Sequence, residues 1–153
     1  MKKRATFLVV VLFSLCISSI YCKKSSTSVK AKTPEQILTS TPWKIAEITA
    51  AIGNLTYYYN RGGSANTVNF DNEYIVFRID NTGTYAEDVG SRAEFTWSFS
   101  NTAKTKITLT GQLLPSSTIY WEDVVLTDTS LKYNERYTVL NVFSSATVER
   151  IPK

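Results

Sequence analysis

Two hydrophobic regimes divide this chain. From Ala5 to Ile20 apolar residues run almost unbroken, whereas from Trp43 onward they alternate with polar ones. Phe95, Trp97 and Phe99 stand against Glu94, Thr96 and Ser98, and Ile107 and Leu109 against Lys106, Thr108 and Thr110. A period of two places one face of a strand in a core and the other in water. The same reading predicts strands at Trp43 to Thr49, Leu55 to Asn60, Glu73 to Ile79, Thr84 to Asp88, Thr118 to Thr127, Ser130 to Tyr133, Tyr137 to Phe143 and Ala146 to Ile151. Turn chemistry separates them at Asn81-Thr82-Gly83, Val89-Gly90-Ser91, Ser100-Asn101-Thr102, Thr127-Asp128-Thr129 and Asn134-Glu135. Such a meander predicts an all-β fold, either an antiparallel up-and-down barrel of about eight strands or a β-sandwich. Ahead of it, Thr33-Pro34-Glu35-Gln36 offers a cap, a proline at the first helical position and a glutamine that reaches back. A short N-terminal helix through Ile37 and Leu38 is expected, stopped by Thr39 to Pro42.

The first apolar run has the anatomy of an export signal. Lys2, Lys3 and Arg4 precede it, and Cys22 followed by Lys23, Lys24, Ser25 and Ser26 closes it. A transmembrane helix needs roughly 20 apolar residues, so the run is short for a span. Cys22 stands where a bacterial lipoprotein signal is cut to leave an acylated cysteine, with Tyr21 before it and Ser19 three before. Cys16 is the rival, but it would leave Ile17 and Ile20 in the mature tail; cleavage after a small residue such as Ser18 is the unlipidated alternative. The expected organisation is a signal peptide over 1–21, a polar tether over 22–32 and a β-domain over 33–153. The tether is too polar to bury a core.

Charge changes meaning once the leader is set aside. The chain carries 17 basic and 13 acidic residues, yet seven of the basic ones lie within Met1 to Lys32. From Thr33 onward 10 basic residues face 13 acidic ones. No basic stripe for phosphate is visible on the domain, so nucleic acid is not an expected partner. Cys16 and Cys22 are the only cysteines and histidine is absent, which leaves the domain without disulfides and without the commonest general base and metal ligand. Glu87-Asp88 and Glu122-Asp123 are adjacent carboxylates, but neighbours on a strand point to opposite faces. Asp80-Asn81-Thr82-Gly83 opens like a calcium loop but has Ser91 at its twelfth place, which favours a hairpin turn. No catalytic residue, metal or cofactor is expected, and the chain reads as a binding protein rather than an enzyme.

Several short motifs occur in a telling order: Leu38, Trp43-Lys44-Ile45, Tyr74-Ile75-Val76-Phe77, Asp80-Asn81-Thr82-Gly83-Thr84-Tyr85, Phe95-Thr96-Trp97-Ser98-Phe99, Ile107-Thr108-Leu109 and Val125 to Leu131. In this order they resemble the bacterial lipocalin-like domains carried by small lipoproteins. Thr41-Pro42-Trp43 stands where lipocalins have Gly-x-Trp. The resemblance implies a barrel closed at one end by Trp43 with Arg150 of the last strand over it, and a membrane anchor of more than one acyl chain on Cys22. It also implies an outer-membrane lipoprotein; the absence of an acidic run after Cys22 favours the periplasmic side over the cell surface. A small hydrophobic or amphipathic ligand is expected, with Tyr58, Phe77, Tyr85, Phe95, Trp97 and Trp121 as candidate contacts. A barrel of eight strands can instead be filled by its own side chains. In that case Tyr57, Tyr58 and Tyr59 beside Gly62-Gly63 would serve a protein partner. The stretch Asn60 to Asn69 reads as a lid or a plain surface excursion.

Overall fold

Thr33 starts the fold as its sequence predicts. Its hydroxyl accepts the Gln36 N–H at 3.3 Å while the Gln36 side chain accepts the Thr33 N–H at 2.9 Å, a reciprocal cap on helix α1, Pro34–Leu38. The computed structural model describes residues 30–87, 90–111, 118–139 and 141–153; the leader with Cys16 and Cys22, the tether up to residue 29, and Asp88 lie outside them. Lys32–Lys153 form one compact unit.

Nine strands follow α1: β1 Trp43–Ile52, β2 Leu55–Asn60, β3 Tyr74–Phe77, β4 Thr82–Ala86, β5 Arg92–Phe99, β6 Ile107–Gly111, β7 Thr118–Leu126, β8 Leu131–Val139 and β9 Val142–Pro152. Antiparallel ladders run in sequence from β3 to β9, β9 pairs the whole of β1, and β1 meets β3 at Trp43–Ile75. The result is a closed eight-strand antiparallel barrel of lipocalin-like architecture, not a sandwich. The ninth strand, β2, folds back along Glu47–Ile52 of β1. Register shifts in β1 after Ile45 and in β7 after Glu122 add the local bends that help a sheet curl shut.

Most strands lie where alternation predicts, with one instructive exception. Ser130 to Tyr133 and Tyr137 to Phe143 are not two strands parted by a turn at Asn134-Glu135. β8 runs straight through, pairing Asn134 with Thr147 and Glu135 with Ala146. Asn134 and Glu135 suit bends, but Tyr133, Glu135 and Tyr137 continue one inward period of two, and the ladder with β9 overrides the local preference. The turn comes at the β8–β9 connection, where Asn141 takes a φ of 67°.

The interior divides into a plug and a cup. At the end where β1 begins and β9 finishes, α1 buries Leu38, and the Trp43 indole N–H donates to the Leu38 carbonyl at 2.9 Å. Above this, Phe77 meets Phe95, Trp97 and Trp121 edge to face with centroids 5.5, 5.5 and 5.7 Å away. Each such pair contributes about 0.5–1.5 kcal/mol beyond simple burial. Gly83 makes the packing possible, because a Cβ there would overlap the Phe95 ring. Toward the opposite end β1 and β9 carry the small inward residues Ala50, Ala146 and Ser144. The paired positions Glu135, Ala146 and Ala50 form one layer, and Tyr137, Ser144 and Ile52 the next.

Candidate functional site

Small residues on β1 and β9 leave a hollow in the half of the barrel that large residues do not fill. The cavity measures about 330 Å³. That lies at the lower end of small-molecule pockets, and an eight-strand barrel can hold one such ligand. Its walls are aliphatic from Ile48, Ala50, Ile52, Ile119, Ala146 and Val148 and aromatic from Tyr57, Phe70, Tyr85 and Tyr137. Ile45, Ile75, Leu109, Trp121, Tyr133 and Arg150 form the deep end.

One wall is not a strand. β3 has only four residues, and among the described residues no ladder joins β2 to β4, so residues 61–73 cover the opening. Arg61 pins this segment by donating to the carbonyls of Ile45 at 2.7 Å, Asp71 at 2.9 Å and Phe70 at 3.0 Å. Asn66 exchanges two hydrogen bonds with the Asn60 backbone, and Thr67 does the same with Tyr58. The segment thereby carries Val68 and Phe70 into the cavity wall. It is a fitted panel rather than a plain surface excursion.

Polar groups are few and concentrated at depth. Arg150, 4% exposed, donates to Glu73 through Nη1 at 3.1 Å and Nη2 at 2.8 Å, to the Tyr133 hydroxyl through Nε at 2.8 Å, and to the Trp43 carbonyl at 3.3 Å. Glu73, 1% exposed, also accepts the Ile45 N–H at 3.3 Å. Burial works to lower the pKa of Arg150, but the Glu73 carboxylate outweighs it and the net direction is upward. The cluster ties β1, β8, β9 and the residue preceding β3 together beneath the cavity, so Arg150 reaches Trp43 through the main chain. Burial also raises the pKa values of Tyr133 and Tyr85 above the ordinary phenol value.

Glu135 is the odd group. It stands on β8 between Tyr133 and Tyr137, lines the cavity, and accepts the Trp121 indole N–H on Oε2 at 2.8 Å. Among the described residues this is the carboxylate's only hydrogen bond, and no cation pairs with it. Desolvation pushes its pKa up, opposed by the Trp121 bond and by the charge of Arg150. Glu87, an exposed second carboxylate after β4, also borders the cavity.

Of the six candidate contact residues, Tyr85 and Trp121 line the cavity. Phe77, Phe95 and Trp97 lie in the aromatic plug, and Tyr58 takes the face of β2 opposite Tyr57. Trp43 and Arg150 are buried at the closed end. Cys22 lies outside the described residues. Sequence reasoning names Tyr57 for a protein partner rather than for the ligand and assigns no site role to Tyr137, Glu73 or Glu135; Glu73 reads there as the start of a strand and Glu135 as part of a turn. The signal for the hollow was Ser144-x-Ala146-x-Val148, small residues at the inward period of a strand otherwise able to hold large ones. Among the described residues no group of three or more His, Cys, Asp and Glu side chains is placed to hold a metal. No known family model matches the chain, and no curated protein matches it significantly.

Proposed function

We propose that this protein is a non-enzymatic carrier of the bacterial envelope, exported by its leader and held to the outer membrane by lipid on Cys22, whose barrel takes one small hydrophobic or amphipathic molecule. The observation that carries the binding reading is the cavity of about 330 Å³, walled by aliphatic and aromatic side chains and floored by a few polar groups. Support for the anchor is the order of charges, apolar run and Cys22 at the start of the sequence. A barrel filled by its own side chains would leave no such space. The protein-partner alternative asked for exposed tyrosines at 57–59, yet Tyr59 is fully buried and Tyr57 and Tyr58 are half-buried.

Two measurements test this. Native mass spectrometry of the purified protein with organic extraction should reveal a co-purifying small molecule or uptake of an added hydrophobic probe, and Ala146→Phe, which puts a ring into the hollow layer, should abolish uptake while the protein stays folded. A wild-type barrel that takes up no probe defeats the carrier reading. Palmitate labelling of cells should mark the wild type but not Cys22→Ser; equal labelling of both removes the anchor.

A further inference from the structure

Granting the ligand-binding reading above, on which this rests, we infer that the guest is a cationic amphiphile: an organic amine whose ammonium group pairs with the Glu135 carboxylate while its apolar body lies along the cavity walls. The two charged groups at depth are not equivalent. Arg150 is spent, with two of its hydrogen bonds on Glu73, one on Tyr133 and one on the Trp43 carbonyl. Its charge is matched inside the protein. Glu135 has an indole N–H on one oxygen and no cation within hydrogen-bond reach, and it borders the open volume.

An uncompensated carboxylate in a low-dielectric pocket costs stability unless a cation arrives with the ligand. Its upward pKa is the direction expected of a charge that lacks its partner in the empty barrel. The surroundings suit the same guest. Tyr57, Tyr85, Tyr137 and Phe70 present aromatic rings, which attract ammonium groups to their faces. Glu87 adds a second negative charge at the border of the cavity. An anionic head such as a fatty carboxylate would meet two carboxylates and an arginine already neutralised.

The test titrates the full chain at pH 7 with octylamine, octanol and octanoate, following tryptophan fluorescence because Trp121 borders the cavity, with calorimetry as the second readout. Octylamine should bind at least about tenfold more tightly than octanol, the factor one good charge-assisted hydrogen bond supplies, and octanoate should bind most weakly. Glu135→Gln should abolish the preference, leaving octylamine and octanol with the same affinity for the variant. Equal binding of amine and alcohol by the wild type, or tightest binding of octanoate, overturns the amine assignment but leaves the carrier reading standing, since the alcohol still enters. Retention of the amine preference in Glu135→Gln overturns it as well. Failure of all three compounds to bind removes the carrier reading, and the amine assignment falls with it.

Discussion

Glu73 and Arg150 decide whether the closed end stays closed, and Glu73→Gln isolates their contribution. The substitution keeps shape and one acceptor oxygen. It replaces a carboxylate that receives two bonds from Arg150, at 2.8 and 3.1 Å, with an amide whose NH2 turns against a guanidinium donor. Arg150 is only 4% exposed, so water cannot compensate it. Removing one partner of a buried pair costs about 3–5 kcal/mol, because the remaining charge is stranded. For a domain with a total stability of about 5–15 kcal/mol this is a large share.

Urea unfolding followed by tryptophan fluorescence measures it. With a slope of about 1–3 kcal/mol per molar urea, the midpoint should fall by at least about 1 M. Arg150→Met combined with Glu73→Gln removes both charges, and because replacing a whole buried pair is far cheaper than breaking it, the double variant should recover much of the loss. A single-variant loss below about 1 kcal/mol, or a double variant as unstable as the two losses added, would falsify the claim that this pair is a desolvated unit.

Three further outcomes follow from the same geometry. Trp43→Ala empties a fully buried indole site and frees the Leu38 carbonyl, and should cost about 3–5 kcal/mol by urea unfolding; a loss within 0.5 kcal/mol, roughly that of a surface change, removes Trp43 from the core. Glu135 has a folded-state pKa above its ordinary value of 4.5, so the native barrel binds its proton more tightly than the unfolded chain does. Its contribution is fully present below pH 4.5 and lost as pH rises through the folded pKa, so Glu135→Gln should match the wild type at pH 4 and melt higher at pH 7; a variant that melts lower at pH 7 contradicts this. Arg61→Ala removes three bonds to backbone carbonyls, each with a charged donor worth about 1.5–3 kcal/mol. It should speed amide exchange across residues 62–72 well beyond that in β8 and β9, and uniform exchange in both regions would show that the panel is held by other contacts.

What the sequence made legible tracks how local each cause is. The reciprocal cap between Thr33 and Gln36 needs four residues and forms as read. Alternation in Phe95 to Phe99 and Ile107 to Leu109 likewise needs only a strand and a core. Reasoning from local signals fails at Asn134-Glu135, because a carboxylate at an inward position is disfavoured everywhere except where the fold supplies a partner or an open volume. Those are long-range facts: Trp121 is 14 residues from Glu135 and Glu73 is 77 residues from Arg150. The sequence does not separate Tyr57 from Tyr58 for the same reason, since the phase of β2 is fixed by its register with β1 rather than by its own three tyrosines. The hollow itself depends on Ala50 and Ala146 standing side by side, which only pairing of the first and last strands brings about.

The division of the barrel into plug and cup sets a packed core and an open volume within one fold. Buried aromatics gathered around Phe77 supply the dispersion and area that a domain without a disulfide in its folded part needs; Phe77, Phe95 and Trp97 sit away from the hollow, and Trp121 links them to its wall. The Arg150–Glu73 cluster sits at the boundary and holds the first and last strands to each other, so the open half can carry small side chains without the cylinder parting there. Glu135 lies one inward step beyond Tyr133, just past that boundary. A carboxylate placed in the plug would be crushed among rings, and one placed on the outside would be solvated and silent. In the layer of Ala50 and Ala146 it meets both an apolar wall and free volume, so under the proposed reading the cation that offsets its cost is the guest's.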